Sequence, residues 1–365
     1  MRILCLDAIA MLALAGCAAT APAPLERIAV GNDRRSFVRV PSGEPFVPWG
    51  FNYDHDRAGR LLEDYWDEEW PAVVADFGEM RLLGANTVRI HLQLGKFMSG
   101  PAEANGTALA RLGRLVALAE RSGLYLDITG LGCYHKRDVP AWYDALSEKD
   151  RWRVQARFWD AVAARCAASP AIFCYDLMNE PVAPAGAPRT DWLGPPFAGK
   201  HFVQFIALDQ GGRDRTAIAR EWIGTLVAAI RARDARRLIT VGLVPWSLDR
   251  PGLTSGFVPA RIADGLDFLS VHIYPEKDTR AEALDTLRAF AAGKPVLIEE
   301  IFPLRCSPEE LEAFIDASRD IAAGWLGFYW GATPEECRAS GTIGDAITAA
   351  WLDLFVRKAA VRGGA

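Results

Sequence analysis

Apolar and polar positions follow two alternating patterns along this chain. Short apolar runs of strand length are followed by segments in which apolar residues return every three or four positions, as on one face of a helix. The clearest run spans 174–181, CYDLMNEP, and it ends in an amide, a carboxylate and a proline. A strand buried on both faces carries such an apolar run, so its polar end is expected where the sheet opens to solvent or ligand.

Eight strands are predicted from these runs, at 45–52, 86–91, 124–129, 174–181, 238–244, 266–274, 296–300 and 325–330. Helical segments separate them, with a proline in the first turn at Pro71, a cap at Ser147 and a capping box beginning at Ser307. Repeated strand–helix units predict a parallel sheet, and eight right-handed crossovers close into a (β/α)8 TIM barrel. A doubly wound open sheet is the alternative, but no glycine-rich phosphate turn follows strand 1.

The predicted barrel forms a single α/β domain over 28–360, with two additions. Turn-forming residues around 31–33 and 42–44 indicate an N-terminal hairpin, which we expect to cover the bottom of the barrel. A long insertion follows strand 4; its aromatic residues Trp192, Phe197 and Phe205 are interpreted as local core more readily than as a sugar-binding surface.

Charge excludes one broad class of function. The formal net charge is −5, and acidic and basic residues are interspersed without a basic tract. Proteins that bind nucleic acids through the phosphate backbone need such a tract, so we expect no nucleic-acid partner.

The N-terminus resembles an export signal. Arg2 precedes a short apolar run, interrupted by Asp7, which ends in Leu-Ala-Gly-Cys at Cys17. This ending resembles a bacterial lipobox, which implies a signal peptide over 1–17, a lipid on Cys17, a linker over 18–27 and a place in the bacterial cell envelope. A plain secretory signal is the alternative. No later segment is apolar and long enough to span a bilayer, so any membrane contact is expected through Cys17 alone.

Five cysteines remain after Cys5 and Cys17, and an odd number leaves at least one free thiol. Cys306 and Cys337 follow the last two predicted strands, on the same barrel face, and are a candidate disulfide. Two buried thiols are the alternative. No Cys/His spacing is typical of a zinc site, and we expect no metal.

Two carboxylates stand at strand ends on the face where barrel enzymes place their chemistry. Glu180 ends strand 4 and Glu300 ends strand 7, roughly opposite each other. Hydrolysis of a glycosidic bond uses such a pair: a separation of about 5–5.5 Å gives retention, and about 6.5–9.5 Å gives inversion. The spacing in the sequence leaves the separation open.

Other strand-end residues suit the same chemistry. Arg89 and Tyr274 are placed to hold a nucleophilic carboxylate charged and oriented, and Asn179 is suited to hydrogen-bond a sugar 2-hydroxyl group. Flat apolar faces on which a pyranose ring could stack are offered by Trp330, Trp246 and Tyr53.

Residues 28–356 resemble glycoside hydrolase family 5, the cellulase and mannanase family of clan A. The resemblance is carried, in chain order, by Arg89, Asn179-Glu180-Pro181, His272, Tyr274, Glu300 in the run KPVLIEE, and Trp330. It implies a cofactor-free, monomeric retaining enzyme that cleaves a β-linked polysaccharide or oligosaccharide. Glu180 is then the acid/base and Glu300 the nucleophile.

The chain departs from the family pattern in two places. Strand 3 usually ends in a histidine, where this chain has Asp127-Ile128-Thr129-Gly130, and His135 in the following loop is a candidate replacement. Strand 7 ends in two glutamates, so Glu299 is an alternative nucleophile. These departures keep a glycan-binding surface lipoprotein without catalysis open as an alternative, and a transglycosylase would use the same residues.

Overall fold

A computed structural model describes residues 24–250 and 254–362. Eight parallel strands close into a barrel, with β8 paired to β1. The strands are β1 Trp49–Tyr53, β2 Thr87–Gln93, β3 Tyr125–Gly132, β4 Ile172–Asn179, β5 Leu238–Leu243, β6 Leu269–His272, β7 Val296–Ile301 and β8 Gly324–Gly327. The predicted (β/α)8 barrel is confirmed.

Helices surround the barrel. The principal ones are α1 Trp70–Leu82, α2 Gly106–Ser122, α3 Glu148–Cys166, α4 Arg215–Arg231, α5 Pro259–Ile262, α6 Arg280–Phe290, α7 Pro308–Ala317 and α8 Ile343–Arg362. Two predicted caps are confirmed: the Ser147 side chain accepts from the backbone N–H of Asp150, and Ser307 forms a capping box with Glu310. Among the helices in 24–250 and 254–362, none is both long and apolar enough to cross a membrane.

Strand residues alternate between the inside and the outside of the barrel, and this alternation positions the site. In β1, Asn52 faces inward and bonds to Arg89, whereas the neighbouring Phe51 faces outward and packs against Phe355 of α8. Inward polar residues of several strands therefore meet inside the barrel.

A small antiparallel sheet closes the bottom of the barrel, as predicted. Its strands are Arg27–Val30, Phe37–Val40 and Pro45–Phe46. Phe37 sits edge-on against Phe173 and Phe268, with ring centroids 5.2 Å apart in each pair. The sheet therefore supplies apolar side chains to the end of the barrel that lies away from Glu180 and Glu300.

Several strand boundaries differ from those predicted; β6, for example, spans Leu269–His272 instead of 266–274. Strand 1 was expected over 45–52, but Pro45–Phe46 pairs with the hairpin and the barrel strand begins at Trp49. Pro45 and Pro48 lack the backbone N–H that a central strand donates to its neighbours. The prolines therefore separate the hairpin strand Pro45–Phe46 from the barrel strand Trp49–Tyr53. Strand 8 was expected to reach residue 330, but β8 ends at Gly327.

The insertion after β4 folds back over the mouth of the barrel. Pro181–Val182 pairs in parallel with Gln204–Phe205, and the Gln204 side chain donates to the Leu131 carbonyl at 3.0 Å. Trp192 is buried beneath the guanidinium group of Arg151, as expected for local core, but that expectation is wrong for Phe197, which is 64% exposed. The insertion thereby brings its own side chains close to the ends of the barrel strands.

The candidate disulfide is wrong, because Cys133, Cys166, Cys174, Cys306 and Cys337 are all free. Cys337 is held in the helix Pro334–Ser340, where it packs with Ala332 and Ala349, while Cys306 lies half-buried before α7. The two thiols are thus engaged in separate packing environments. The predicted signal peptide and Cys17 lie outside the described residues.

Candidate active site

Glu180 and Glu300 lie together at the mouth of the barrel. One oxygen of each carboxylate and a ring nitrogen of His272 all lie within 4.8 Å of one another. Glu180 immediately follows β4, and its backbone φ of 48° is in the left-handed region, which is uncommon for a residue with a side chain. Its N–H donates to the Gly242 carbonyl at 2.9 Å, which fixes the position of this turn.

Glu300 is held by two donors. Its Oε1 accepts from Arg89 Nη1 at 2.7 Å, and its Oε2 accepts from the Tyr274 hydroxyl at 2.6 Å. Burial raises the pKa of Glu300, while the charges of His272 and Arg89 oppose that increase. Both contacts favour the ionised form and orient the carboxylate toward Glu180.

Glu299 lies deeper than Glu300. The pairing of β7 with β8 shifts in register between Ile298 and Ile301, and both glutamates have side chains in the site. Glu299 is fully buried and accepts from the Ser270 hydroxyl at 3.0 Å. Of the two neighbours, Glu300 is the one that lines the cavity beside Glu180.

Arg89 connects the acidic groups. It is fully buried and donates to Asn52, Asp176, Asn179 and Glu300 at 2.7–3.0 Å. A planar guanidinium group with five N–H donors can serve such a set, which an ammonium group could not span. The amide oxygen of Asn179 is thereby fixed, and its Nδ2 donates to the Phe202 carbonyl at 3.1 Å.

His272 bridges three carboxylates. Its Nδ1 lies 3.0 Å from Glu180 Oε1 and 3.5 Å from Glu300 Oε1, and its Nε2 lies 3.3 Å from Glu299 Oε2. Burial lowers the pKa of His272, but the charge of Glu300 and the hydrogen bonds to Glu180 and Glu299 raise it overall to about 10. The ring is therefore an imidazolium at neutral pH, with both nitrogens donating.

The same three ligand atoms of Glu180, His272 and Glu300 form the one cluster in the described part of the chain with metal-ligand proximity. A metal ion would bind the neutral ring through a nitrogen lone pair, so it would have to displace a proton from His272.

Two residues that the sequence reasoning missed complete the wall beside Arg89. His91 Nδ1 lies 2.5 Å from the Tyr134 hydroxyl, and His91 Nε2 lies 3.1 Å from Asn52 Oδ1. Burial and the charge of Arg89 hold the pKa of His91 well below its usual range, so this ring is neutral. The sequence held a signal for His91, since it lies two residues after Arg89 and faces the same way.

His135 is not brought into this site. It lines a separate small cavity with Gln93 and Asp138, whereas the preceding residue, Tyr134, is the one that contacts His91. On the strand 3 side of the site, where the family pattern has a histidine, this chain places the Tyr134 hydroxyl next to His91.

A cavity of about 200 Å³ opens beside the two glutamates. Its polar lining consists of Glu180, Glu300 and Tyr274, and its apolar lining consists of Pro195, Phe197, Phe202, Val203, Phe302, Leu304 and Phe328. Four of the apolar residues come from the insertion after β4. The insertion therefore shapes the cavity that Glu180 and Glu300 line.

The three predicted aromatic platforms lie elsewhere. The Tyr53 hydroxyl donates to Asp76 of α1 at 2.6 Å, on the outer face of β1. Trp330 is buried against Phe51, with ring centroids 5.7 Å apart. Trp246 is partly exposed in a short helical turn after β5 and does not line the cavity. The aromatic ring that β8 supplies to the cavity is that of Phe328.

Comparison with known proteins agrees with this geometry. The model of the family described as Cellulase (glycosyl hydrolase family 5) matches residues 63–333, which is more than half of the chain. The chain belongs to glycosyl hydrolase family 5. As a family 5 member with its two strand-end glutamates together, the protein is a glycosidase, and the enzyme prediction is confirmed.

Solved structures similar to this family 5 chain include three with low sequence identity. An exo-β-1,4-mannosidase from Opitutaceae bacterium strain TAV5 is 20% identical, with a TM-score of 0.68 over 92% of this chain and 62% of that one. An endo-1,4-β-mannanase from Rhizomucor miehei is 17% identical, with a TM-score of 0.62 over 92% and 99% of the two chains. A GH5_18 protein from Streptomyces cattleya, in complex with Manb1-4GlcNAc, is 20% identical, with a TM-score of 0.60 over 79% and 71%.

These likenesses support the shared barrel fold of the family 5 chain. The chain spans less than two thirds of the length of the Opitutaceae structure. A comparison with curated protein sequences finds no match.

Proposed function

We propose that this family 5 glycosidase is a retaining enzyme in which Glu180 is the acid/base and Glu300 the nucleophile. The observation that carries the proposal is the approach of their carboxylate oxygens to within 4.8 Å. Retaining enzymes keep the two carboxyl groups about 5–5.5 Å apart, whereas inverting enzymes leave about 6.5–9.5 Å for a water molecule. Carboxylate oxygens this close to each other fit the shorter of the two ranges better, which supports direct attack by a carboxylate.

The first step breaks the glycosidic bond. Glu180 donates its proton to the leaving oxygen while a Glu300 oxygen attacks the anomeric carbon, so that the bonding electrons leave with the departing alcohol. Arg89 and the Tyr274 hydroxyl hold the Glu300 carboxylate in place for this attack. The product is a glycosyl ester of Glu300.

The second step releases the sugar. Glu180, now ionised, takes a proton from water as the water oxygen attacks the anomeric carbon, and Glu300 leaves as a carboxylate. Asn179 Nδ2 donates one N–H to the Phe202 carbonyl, which leaves its other N–H for a sugar hydroxyl. This contact would stabilise both transition states.

For the substrate, we propose a short β-mannoside. The similar structures include a mannosidase, a mannanase and a complex with Manb1-4GlcNAc. The cavity of about 200 Å³ is smaller than the roughly 300–1,000 Å³ of typical drug-sized ligand pockets, which favours a short ligand. Its apolar walls suit an aryl leaving group, so an aryl β-mannoside is a suitable assay substrate.

Replacement of the nucleophile tests the mechanism. We expect Glu300→Ala to remove nearly all turnover of an aryl β-mannoside and Glu180→Ala to lower it about 10²–10⁴-fold, because general acid catalysis contributes that much. Glu282→Ala, an exposed change on α6, is the control and should keep wild-type turnover. A 2-fluoro mannoside with a good leaving group should leave a glycosyl adduct on Glu300, measured by intact-mass and peptide mass spectrometry. Full activity in Glu300→Ala, or an adduct on Glu299, would overturn the assignment.

We also propose that the enzyme is exported, anchored in the bacterial cell envelope by a lipid on Cys17, and monomeric. The support is the Leu-Ala-Gly-Cys ending of the N-terminal apolar run. Mass spectrometry of the protein extracted from membranes should find a lipidated Cys17 as the first residue, and an unmodified Cys17 in a longer chain would contradict the anchor.

A further inference from the structure

Glu299 is a buried charge that the proposed mechanism does not use. Its carboxylate is fully buried, 3.0 Å from Ser270 Oγ, 3.3 Å from His272 Nε2 and 3.6 Å from Arg89 Nη2. A carboxylate buried to this extent is costly unless it is paired and hydrogen-bonded. Its partners therefore indicate what it does, and the histidine among them also contacts Glu180.

The barrel leaves room for this contact at Gly242. A Cβ atom at this inward position of β5 would lie 2.9 Å from His272 Nε2 and 3.0 Å from both Arg89 Nη2 and Glu299 Oε2. The backbone of Gly242 is not in the left-handed region, so space and not conformation accounts for the glycine. The missing side chain is what allows these three charged groups to converge.

We propose that Glu299 is a positioning residue for the acid/base: it accepts the Nε2–H of His272, so that the Nδ1–H is directed at Glu180. The resulting chain, Glu299–His272–Glu180, runs from the barrel interior to the reacting atoms. The inference rests on the proposed function, because it assigns to Glu180 the proton-transfer role. Glu299 thereby acts through His272 and does not touch the substrate.

The charge on His272 depends on every group that faces it. Glu180 approaches from the end of β4, and Glu299 and Glu300 approach from β7. Arg89 of β2 opposes a positive charge on the ring, whereas His91 is neutral. If Glu299 loses its charge, His272 loses the anion at its Nε2 while Arg89, still paired with Asp176 and Glu300, stays nearby, so the pKa of His272 is expected to fall.

The experiment compares Glu299→Gln, His272→Gln and the double variant, with Glu282→Gln as an exposed control on α6. A glutamine keeps an acceptor for Nε2–H but removes the charge. We expect Glu299→Gln to lower kcat up to about 10²-fold, with a smaller change in KM, because a displaced catalytic group costs that much. The double variant should be no worse than His272→Gln alone, since both act through one chain.

The readout specific to this role is the charge on His272. Nitrogen-15 NMR of labelled histidines, assigned with His272→Gln, should show a wild-type imidazolium throughout pH 6–8. Glu299→Gln should lower the pKa of His272, so that its titration moves toward that range, with a matching shift in the kcat/KM profile. A neutral His272 in the wild type at pH 7 would overturn the inference.

The outcome also separates this inference from the proposed function. Glu299→Gln should still form the glycosyl adduct on Glu300. Loss of the adduct in a folded Glu299→Gln protein would place Glu299 in the nucleophilic step. That result would contradict both the positioning role of Glu299 and the assignment of the nucleophile to Glu300 alone. An adduct together with an unchanged pH profile and an unchanged histidine titration would leave the nucleophile assignment standing and would reject the positioning role alone.

Discussion

At the scale of single residues, Arg89 contacts more side chains of the site than Glu180 or Glu300 does. Its guanidinium group meets the side chains of Asn52, Asp176, Asn179 and Glu300 while fully buried. Each of these acceptors lies on a different part of the barrel or at a different depth. The orientation of the Glu300 carboxylate and the packing of the barrel interior therefore depend on one cation.

We expect Arg89→Met to lower the free energy of unfolding by about 3–5 kcal/mol, because removal of one partner leaves buried carboxylates without a counter-charge. Turnover should fall as well, since Glu300 loses one of its two donors. Urea denaturation of the variant and of Arg233→Met gives the comparison. Arg233 makes an exposed ion pair with Asp160 at 2.7 Å, and its replacement should change the free energy by less than about 1 kcal/mol. Equal effects of the two substitutions would show that the buried network is not stabilised by Arg89.

The sequence predicted those site residues that stand at the ends of inward-facing strand positions. Arg89, Asn179, His272 and the Glu180–Glu300 pair all meet in the structure. The alternation of inward and outward side chains along a strand also predicts the directions of Tyr53 and His91. Tyr53 is adjacent to the inward-facing Asn52 and so points outward, and His91 is two residues from Arg89 and so points inward.

Beyond the strand ends this rule no longer applies. Trp330 and Phe328 both follow the end of β8, and only packing decides that Trp330 turns toward Phe51 while Phe328 lines the cavity. Tyr134 and His135 lie after β3, where either could have reached the site. Side-chain direction in such loops depends on tertiary contacts that a single sequence does not display.

At the scale of elements, the N-terminal sheet is part of the barrel's core. Ile28, Phe37 and Phe46 are buried with inward residues from the starts of the barrel strands, among them Phe173 and Phe268. Hydrophobic alternation predicted this hairpin and its covering position. The break at the prolines between Pro45–Phe46 and Trp49–Tyr53 was not predicted, because residues 45–52 form one continuous apolar run in the sequence.

Because Phe37 fills the bottom of the barrel, we expect Phe37→Ala to lower the free energy of unfolding by about 3–5 kcal/mol. The lost contacts lie at the end of the barrel away from the glutamates, so kcat at a temperature where the variant is folded should change little. Val47→Ala, at a residue with 40% of its surface exposed, is the control and should stay within about 0.5 kcal/mol of the wild type. The measurement is chemical denaturation together with turnover. A stability loss below about 1 kcal/mol for Phe37→Ala would mean that the sheet only rests on the barrel.

At the scale of the whole molecule, the barrel interior concentrates charge away from water. Asp127, Asp176, Glu299 and Arg89 are all fully buried, and His272 is nearly so. Burial, together with the charge of Glu299, raises the pKa of Asp127 and of Asp176, despite the opposing charge of Arg89. The folded protein consequently binds more protons at these groups than the unfolded chain does, and its stability must depend on pH.

Between about pH 7 and 8.5, the titration of His272 determines whether the free energy of unfolding rises or falls with pH. Its folded pKa, raised to about 10 by Glu300, Glu180 and Glu299 against the effect of burial, lies above the ordinary value of about 6.5. Its contribution to stability is complete below the unfolded value and is lost as the pH rises through the folded one. We therefore expect the free energy of unfolding to fall with rising pH, by at most about 1.4 kcal/mol per pH unit for this one proton.

Denaturation in urea at pH 7, 7.75 and 8.5 measures this decline, and His272→Gln should flatten it because the variant has no proton to lose there. Above about pH 8.5 the thiols add to the decline, since burial raises the pKa of Cys133 to about 11 and the unfolded thiol ionises earlier. The comparison therefore stays below that pH. If the wild type and His272→Gln gave the same slope, His272 would carry no extra proton in the folded state, and the cationic link between Glu299 and Glu180 would lose its physical basis.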